Sequence, residues 1–130
     1  MNIEFYDIND SNLPSIVVIY AKYNDKIVMC KHKERETWEI PGGHIEKNET
    51  SEIAARRELY EETGAIDFDL IPVCKYSFEV KGKKIFSMMY KSTIAKIEKL
   101  PESEIKEISF FEELPNNVTY PEIYAKILNK

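Results

Sequence analysis

Residues 42–65 read GGHIEKNETSEIAARRELYEETGA, and this stretch decides how the rest of the chain is understood. Thr50 or Ser51 can cap a helix, residues 51–62 are strong helix formers, and Gly64 offers a C-terminal stop. At about 100° per residue, Glu58, Glu61 and Glu62 return to one helix face. Ala54 shares the middle of that face, Ala55 and Leu59 border it on one side, and Ile53 and Tyr60 lie beyond Arg57 on the other. Glu52, Arg56 and Thr63 form a separate polar face. A surface helix ordinarily sets its charges opposite its apolar stripe. Here the acids have apolar neighbours at both margins, so the acidic face is expected to line a cleft.

Charge repulsion sharpens that expectation. Two carboxylates about 5 Å apart repel by roughly 3 kcal/mol at an effective dielectric of about 20, whereas an exposed helical ion pair returns only about 0.2–0.5 kcal/mol. Arg57 cannot neutralise all of its acidic neighbours, but a divalent cation can. Hard oxygen donors with no adjacent cysteine or histidine suit magnesium or manganese better than zinc. The competing readings are a solvated acidic face and a helix that binds a basic protein partner; the second does not account for the glycines.

Around this helix the chain reads as one continuous domain, residues 1–130, without repeats, low-complexity tracts or a flexible linker. Residues 3–6, 15–20 and 26–31 are short segments rich in Val, Ile and Tyr and are expected to be strands before the helix. Residues 68–80 and 84–96 flank Lys81-Gly82-Lys83 and predict a long hairpin after it. Residues 105–111 predict another strand, and residues 120–128, with Pro121 near their start, a terminal helix. The order predicts a mixed sheet with helices packed on it. A composition of 43% hydrophobic and 32% charged residues fits a packed globule. Cys30 and Cys74 are far apart, without spacing suited to zinc, and are expected to be reduced thiols. The acidic N-terminus lacks the features of an export signal, so a cytoplasmic location without membrane attachment is expected. A net charge of −5 argues against an electrostatic grip on long nucleic acid.

Gly43, five residues, Glu49, seven residues, Arg57-Glu58-Leu59, one residue, Glu61-Glu62, one residue and Gly64 resemble the box of the Nudix hydrolase family. Ala65 stands where the family usually has a larger aliphatic residue. Trp38-Glu39-Ile40-Pro41-Gly42-Gly43 upstream, and residues 108–115 downstream, are similar to flanks common in that family. The resemblance implies an α+β Nudix fold, an α/β/α sandwich around a mixed β-sheet. It also implies hydrolysis of a pyrophosphate bond in a nucleoside diphosphate linked to a further group. Glu58, Glu61 and Glu62 would be metal carboxylates for Mg2+ or Mn2+, with Glu61 or Glu62 also handling the attacking water. The Gly42 carbonyl would be a further ligand, and Glu49 and Arg57 would orient the carboxylates. A late-loop acid would join them; Glu107 is ranked first and Glu104 second. Glu46 is an outer candidate that reads better as a loop acid.

Compact length and the Trp38 segment resemble the MutT-like branch, which implies a nucleoside triphosphate, canonical or oxidised, cleaved to monophosphate and pyrophosphate. Thr119 stands where that branch has a base-reading asparagine, so Asn117 or Asn116 is expected to substitute. Lys31, with His32 and Lys33, and Gly43 are candidate phosphate contacts; His44 reads better as a loop residue without a role. Tyr76, Phe78, Phe86 and Tyr90 could stack on a base but read more readily as core. A non-catalytic nucleotide sensor, and hydrolases of ADP-ribose, nucleotide sugars or dinucleoside polyphosphates, remain alternatives. The resemblance leaves room for a homodimer.

Overall fold

Alternation of apolar residues along the two central strands decides the architecture. The computed structural model describes residues 2–130 and orders its elements as β1 Glu4–Tyr6, β2 Ile16–Tyr23, β3 Lys26–His32, β4 Gly42–His44, α1 Ser51–Thr63, β5 Ala65–Phe68, β6 Ile71–Val80, β7 Lys83–Ile97, β8 Ile105–Phe111 and α2 Pro121–Ile127. In β2, Val17, Ile19 and Ala21 face one cluster while Val18 and Tyr20 face the other, as the period of a strand requires. The first cluster lies under α1, with Ala54, Ala55 and Leu59 packed against β2 and β7. The second lies under α2, where Ile123, Tyr124 and Ile127 meet Met29, Trp38 and Met89. Both sheet faces are therefore covered, which is the expected α+β sandwich.

The sheet runs β1-β6-β7-β2-β3-β8, with β4 added to β2 and β5 to β7. β2 and β7 are parallel, and the other pairs antiparallel. The β2–β3 turn places Asn24 and Asp25 at φ of 51° and 66°, and the β6–β7 turn places Lys81 and Gly82 at 51° and 77°. Both are two-residue turns whose positive φ matches the twist of a hairpin.

One feature of the sheet positions the site. β2 pairs with β3 only near Lys22 and Ile27, and its other end, residues 16–18, pairs with β4. The gap between the diverging strands is filled by residues 38–44: Cys30 exchanges backbone hydrogen bonds with Glu39, and the Ile19 N–H donates to the Pro41 carbonyl. The sequence reading missed β4 because two glycines suggest a turn; here pairing with β2 overrides that preference. It also began the outer segment at residue 68, whereas β5 starts at Ala65 and a break at Asp69–Leu70 separates it from β6. No helix among the described residues is long and apolar enough to cross a membrane.

Candidate active site

Thr50 caps α1 by accepting the Ile53 N–H at 3.2 Å, and Gly64 closes it in the left-handed region at φ 80°. Leu59, fully buried, and the two alanines beside it fix the helix rotation. That rotation turns the acidic face toward β3 and β4. Only one margin of the face is apolar in the fold: Ile53 and Tyr60 are 52% and 45% exposed, so the expected second margin faces solvent. The cleft is closed instead by the inserted 38–44 segment.

The acids differ in surroundings. Glu62 is almost fully buried; its Oε1 accepts the Gly42 N–H at 2.8 Å and the Cys30 thiol at 3.8 Å. Glu58 lies against Gly43, where a Cβ would come within 2.2 Å of its Oε2. Glu61 is the outermost, with a side chain 45% exposed. Arg57 binds them together. It holds Glu49 through two bonds of 2.7 and 2.9 Å, Glu58 at 2.5 Å and Glu61 at 2.9 Å, and it donates to the His44 carbonyl at 3.1 Å. Glu46 stands farther off at 3.7 Å from the same guanidinium. The expected orienting role of Arg57 thus has a geometry: a planar fork shared by carboxylates from one helix and the loop before it.

Burial pushes the Glu58 carboxyl up to about 7 against the pull of Arg57, with Glu61 adding to the rise. Burial, then the charges of Glu58 and Glu39, push Glu62 up to about 8 against the Gly42 N–H. Glu49, bound by Arg57, is held down at about 2. The cluster therefore holds more negative charge than its own cation neutralises, and it retains protons near neutral pH.

The remaining expectations fare unevenly. Glu107 is the third residue of β8, opposite Lys31, and its Oε1 lies 3.9 Å from the Lys31 ammonium, not among the carboxylates of α1. Alternation along β3 turns Lys31 to the Trp38 side, away from Cys30 and Glu62, and Glu107, its partner on β8, lies with it. Glu104 precedes β8, and its carbonyl accepts the Lys33 N–H at 2.8 Å. It lines a cavity of about 390 Å³ with His32, Lys33, Glu34, Arg35 and Ser103. Lys31 rests over the Trp38 ring at 4.4 Å, and its side chain is only 13% exposed. The Asn117 backbone carbonyl accepts the Trp38 N–H at 2.9 Å, and Asn117 itself is exposed. Tyr76 and Tyr90 are buried core residues.

Sequence reasoning missed Glu39. It is 7% exposed and accepts from Arg35 at 2.5 Å and from Thr119 at 2.9 Å, while Thr119 shares a 2.5 Å contact with Thr37. Thr119, which stands where the MutT-like branch has a base-reading asparagine, thus serves a buried carboxylate. The signal was the apolar pair Trp38 and Ile40 around Glu39, which marks a strand-like segment packed on both sides. The expectation that no cysteine or histidine lies near the acids is corrected: Cys30, read only as a reduced thiol, and His32, read as a phosphate candidate, share a face of β3, and with Glu62 their ligand atoms lie within 4.8 Å of one another. The other thiol, Cys74, is buried and free, as expected of both cysteines.

A family description, NUDIX domain, matches residues 12–126. YtkD of Bacillus subtilis, named provisionally as an 8-oxo-dGTP diphosphatase, is 33% identical over 129 residues, 98% of this chain and 81% of that protein. An RNA pyrophosphohydrolase of Bartonella henselae is 43% identical over 56 residues, 41% of this chain and 32% of that one. Among solved structures, a variant of the Bacillus subtilis pyrophosphohydrolase BsRppH superposes with a TM-score of 0.79 at 33% identity, covering 88% of this chain and 74% of that one. A UDP-X diphosphatase, 19% identical with a TM-score of 0.70 over 88% of this chain and 61% of that one, shares the fold.

Proposed function

The chain belongs to the NUDIX domain family and is a pyrophosphohydrolase, and we propose that it cleaves the triphosphate of a nucleotide, free or at an RNA 5′ end, to leave a monophosphate and pyrophosphate. The observation that carries this reading is the Arg57 fork, which gathers Glu49, Glu58 and Glu61 beside the side-chain-free Gly43. A static ion-pair network would not require a glycine to make room for a carboxylate that burial already penalises. A cation-binding one would.

Members of the family generally require a divalent metal. The donors here fit one: the α1 acids are crowded carboxylates, and burial raises the pKa of Glu58 and Glu62, the state that a hard cation relieves. Glu58, Glu61 and Glu62, with the Gly42 carbonyl, would hold Mg2+ or Mn2+, which when bound neutralises phosphate oxygens and makes water a better nucleophile. The chain's own residues do the rest. Arg57 fixes the carboxylate rotamers, and Glu49 fixes Arg57 in turn. Glu61, the solvent-reachable acid, orients the attacking water and accepts its proton at a carboxylate oxygen. Gly43, having no side chain, leaves room for the Glu58 carboxylate to stand against β4. Lys31, which lies over the Trp38 ring, and the exposed Asn117 are the candidate nucleotide contacts.

Free and RNA-borne triphosphates are distinguished by a product-resolved assay of 8-oxo-dGTP, dGTP and a 5′-triphosphorylated oligoribonucleotide, with ADP-ribose, a nucleotide sugar and a dinucleoside polyphosphate as controls. Pyrophosphate from one of the triphosphates, only with added magnesium or manganese, supports the reading. Turnover confined to the controls contradicts the substrate assignment, and binding without turnover of any member favours the sensor.

A further inference from the structure

Cys30 and His32 project from β3 toward the buried end of α1, and nothing in the reaction described above uses either of them. The Cys30 sulfur lies 3.8 Å from Glu62 Oε1. His32 Nε2 lies 3.7 Å from Glu62 Oε2 and 3.5 Å from Glu39 Oε1. All the ligand atoms of Cys30, His32 and Glu62 fall within 4.8 Å of one another. The imidazole nitrogen is thus between two buried carboxylates at distances too long for a good hydrogen bond. A tetrahedral zinc ion, with bonds of about 2.0–2.3 Å, needs ligand atoms roughly 3.3–3.8 Å apart, so small rotamer changes would bring these atoms onto one ion.

We propose that Cys30, His32 and Glu62 form a second cation site, selective for a thiophilic divalent ion of the zinc class, and that its occupation inhibits the enzyme. Selectivity follows from the donors, because a thiolate and an imidazole favour zinc or cobalt over magnesium. Access comes through His32, which lines the cavity bounded by residues 32–35, Ser103 and Glu104. The fourth position falls to Glu39 Oε1 or to water. Binding is ligand exchange without redox: a sulfur–metal bond forms as the thiol proton leaves to solvent. Inhibition follows because Glu62 cannot serve two ions, and this part rests on the reading of Glu62 as a magnesium ligand.

Cobalt is the probe, since a cobalt–thiolate bond gives a near-ultraviolet charge-transfer band. The full-length protein titrated with Co2+ should develop that band, lose it on addition of Zn2+, and keep it in Cys74→Ser. Cys30→Ser should abolish the band, and His32→Gln should weaken cobalt binding at least tenfold, because loss of a direct ligand costs no less than the roughly 10–100-fold lost with supporting residues. Zinc titrated against magnesium-dependent turnover should inhibit wild type at least tenfold more strongly than His32→Gln, which carries the test if Cys30→Ser does not fold. A folded wild type without the band, a band that survives Cys30→Ser, or equal zinc inhibition of wild type and His32→Gln would each overturn the site. If magnesium-dependent turnover is itself missing, the function proposed above fails while the cobalt spectrum still decides this one.

Discussion

Glu58 Oε2 fills the space in which Gly43 would carry a side chain, a Cβ there standing 2.2 Å from the oxygen. Gly43→Ala must therefore move either β4 or the carboxylate. β4 is pinned to β2 by Val17↔Gly43 and Val18↔Gly42, so the carboxylate moves. A displacement of about 1 Å is expected to cost about 100-fold in kcat. Steady-state kinetics with circular dichroism as a fold control checks it; near-normal turnover would show that Glu58 need not sit where it does.

Arg57→Lys keeps the charge and loses the fork. Lysine cannot hold Glu49, Glu58 and Glu61 at once, so the carboxylates should lose their common geometry. The half-saturating magnesium concentration is expected to rise by about 10–100-fold with a smaller change in KM for nucleotide. A magnesium titration of both proteins decides this, and an unchanged magnesium requirement would assign Arg57 to stability alone.

Metal-free stability should fall as pH rises. Glu58 and Glu62 have folded pKa values near 7 and 8, above the ordinary 4.5, so the folded chain binds more protons than the unfolded one between pH 4.5 and 8. Their destabilising effect is absent below pH 4.5 and complete above about 8. Its full size for Glu62 is on the order of 3–5 kcal/mol. Urea denaturation in chelator at pH 6 and 8.5 should show the loss, Glu62→Gln should remove most of it, and added magnesium should restore more stability at the higher pH. Wild-type stability that rises across this interval would contradict the burial argument.

Glu107→Gln should change little. Its 54% exposed side chain meets Lys31 at 3.9 Å, and exposed pairs of this kind contribute about 0–1 kcal/mol. Magnesium dependence is expected to stay within about twofold of wild type. A large shift in a magnesium titration would place Glu107 in the metal site.

The parts legible in the sequence were those governed by local chemistry. Thr50 and Gly64 bound α1 as their capping preferences predict, and the Lys81-Gly82 turn marked the longest hairpin. Residues 42–44 were not legible as a strand, because their glycines are poor strand formers and only the splayed β2–β3 pair gives them a partner. The spacing of the acids was readable from helical period, but their depth was not. Glu62 is buried because the 38–44 segment covers it, and Ile53 and Tyr60 are exposed because nothing covers them. Glu39 and the Cys30–His32 pair escaped for the same reason, since each depends on the insertion of one segment between strands distant from it in sequence.

The central claim is that the α1 carboxylates hold a divalent cation for pyrophosphate hydrolysis, and Glu61→Gln tests it most directly. Pyrophosphate release from the preferred triphosphate is measured for wild type and variant, in chelator and in saturating magnesium. The account predicts that wild-type turnover needs magnesium and that Glu61→Gln, still folded, loses about 100-fold or more, as befits removal of a general base. Turnover that persists in chelator, or a fully active Glu61→Gln, would contradict it.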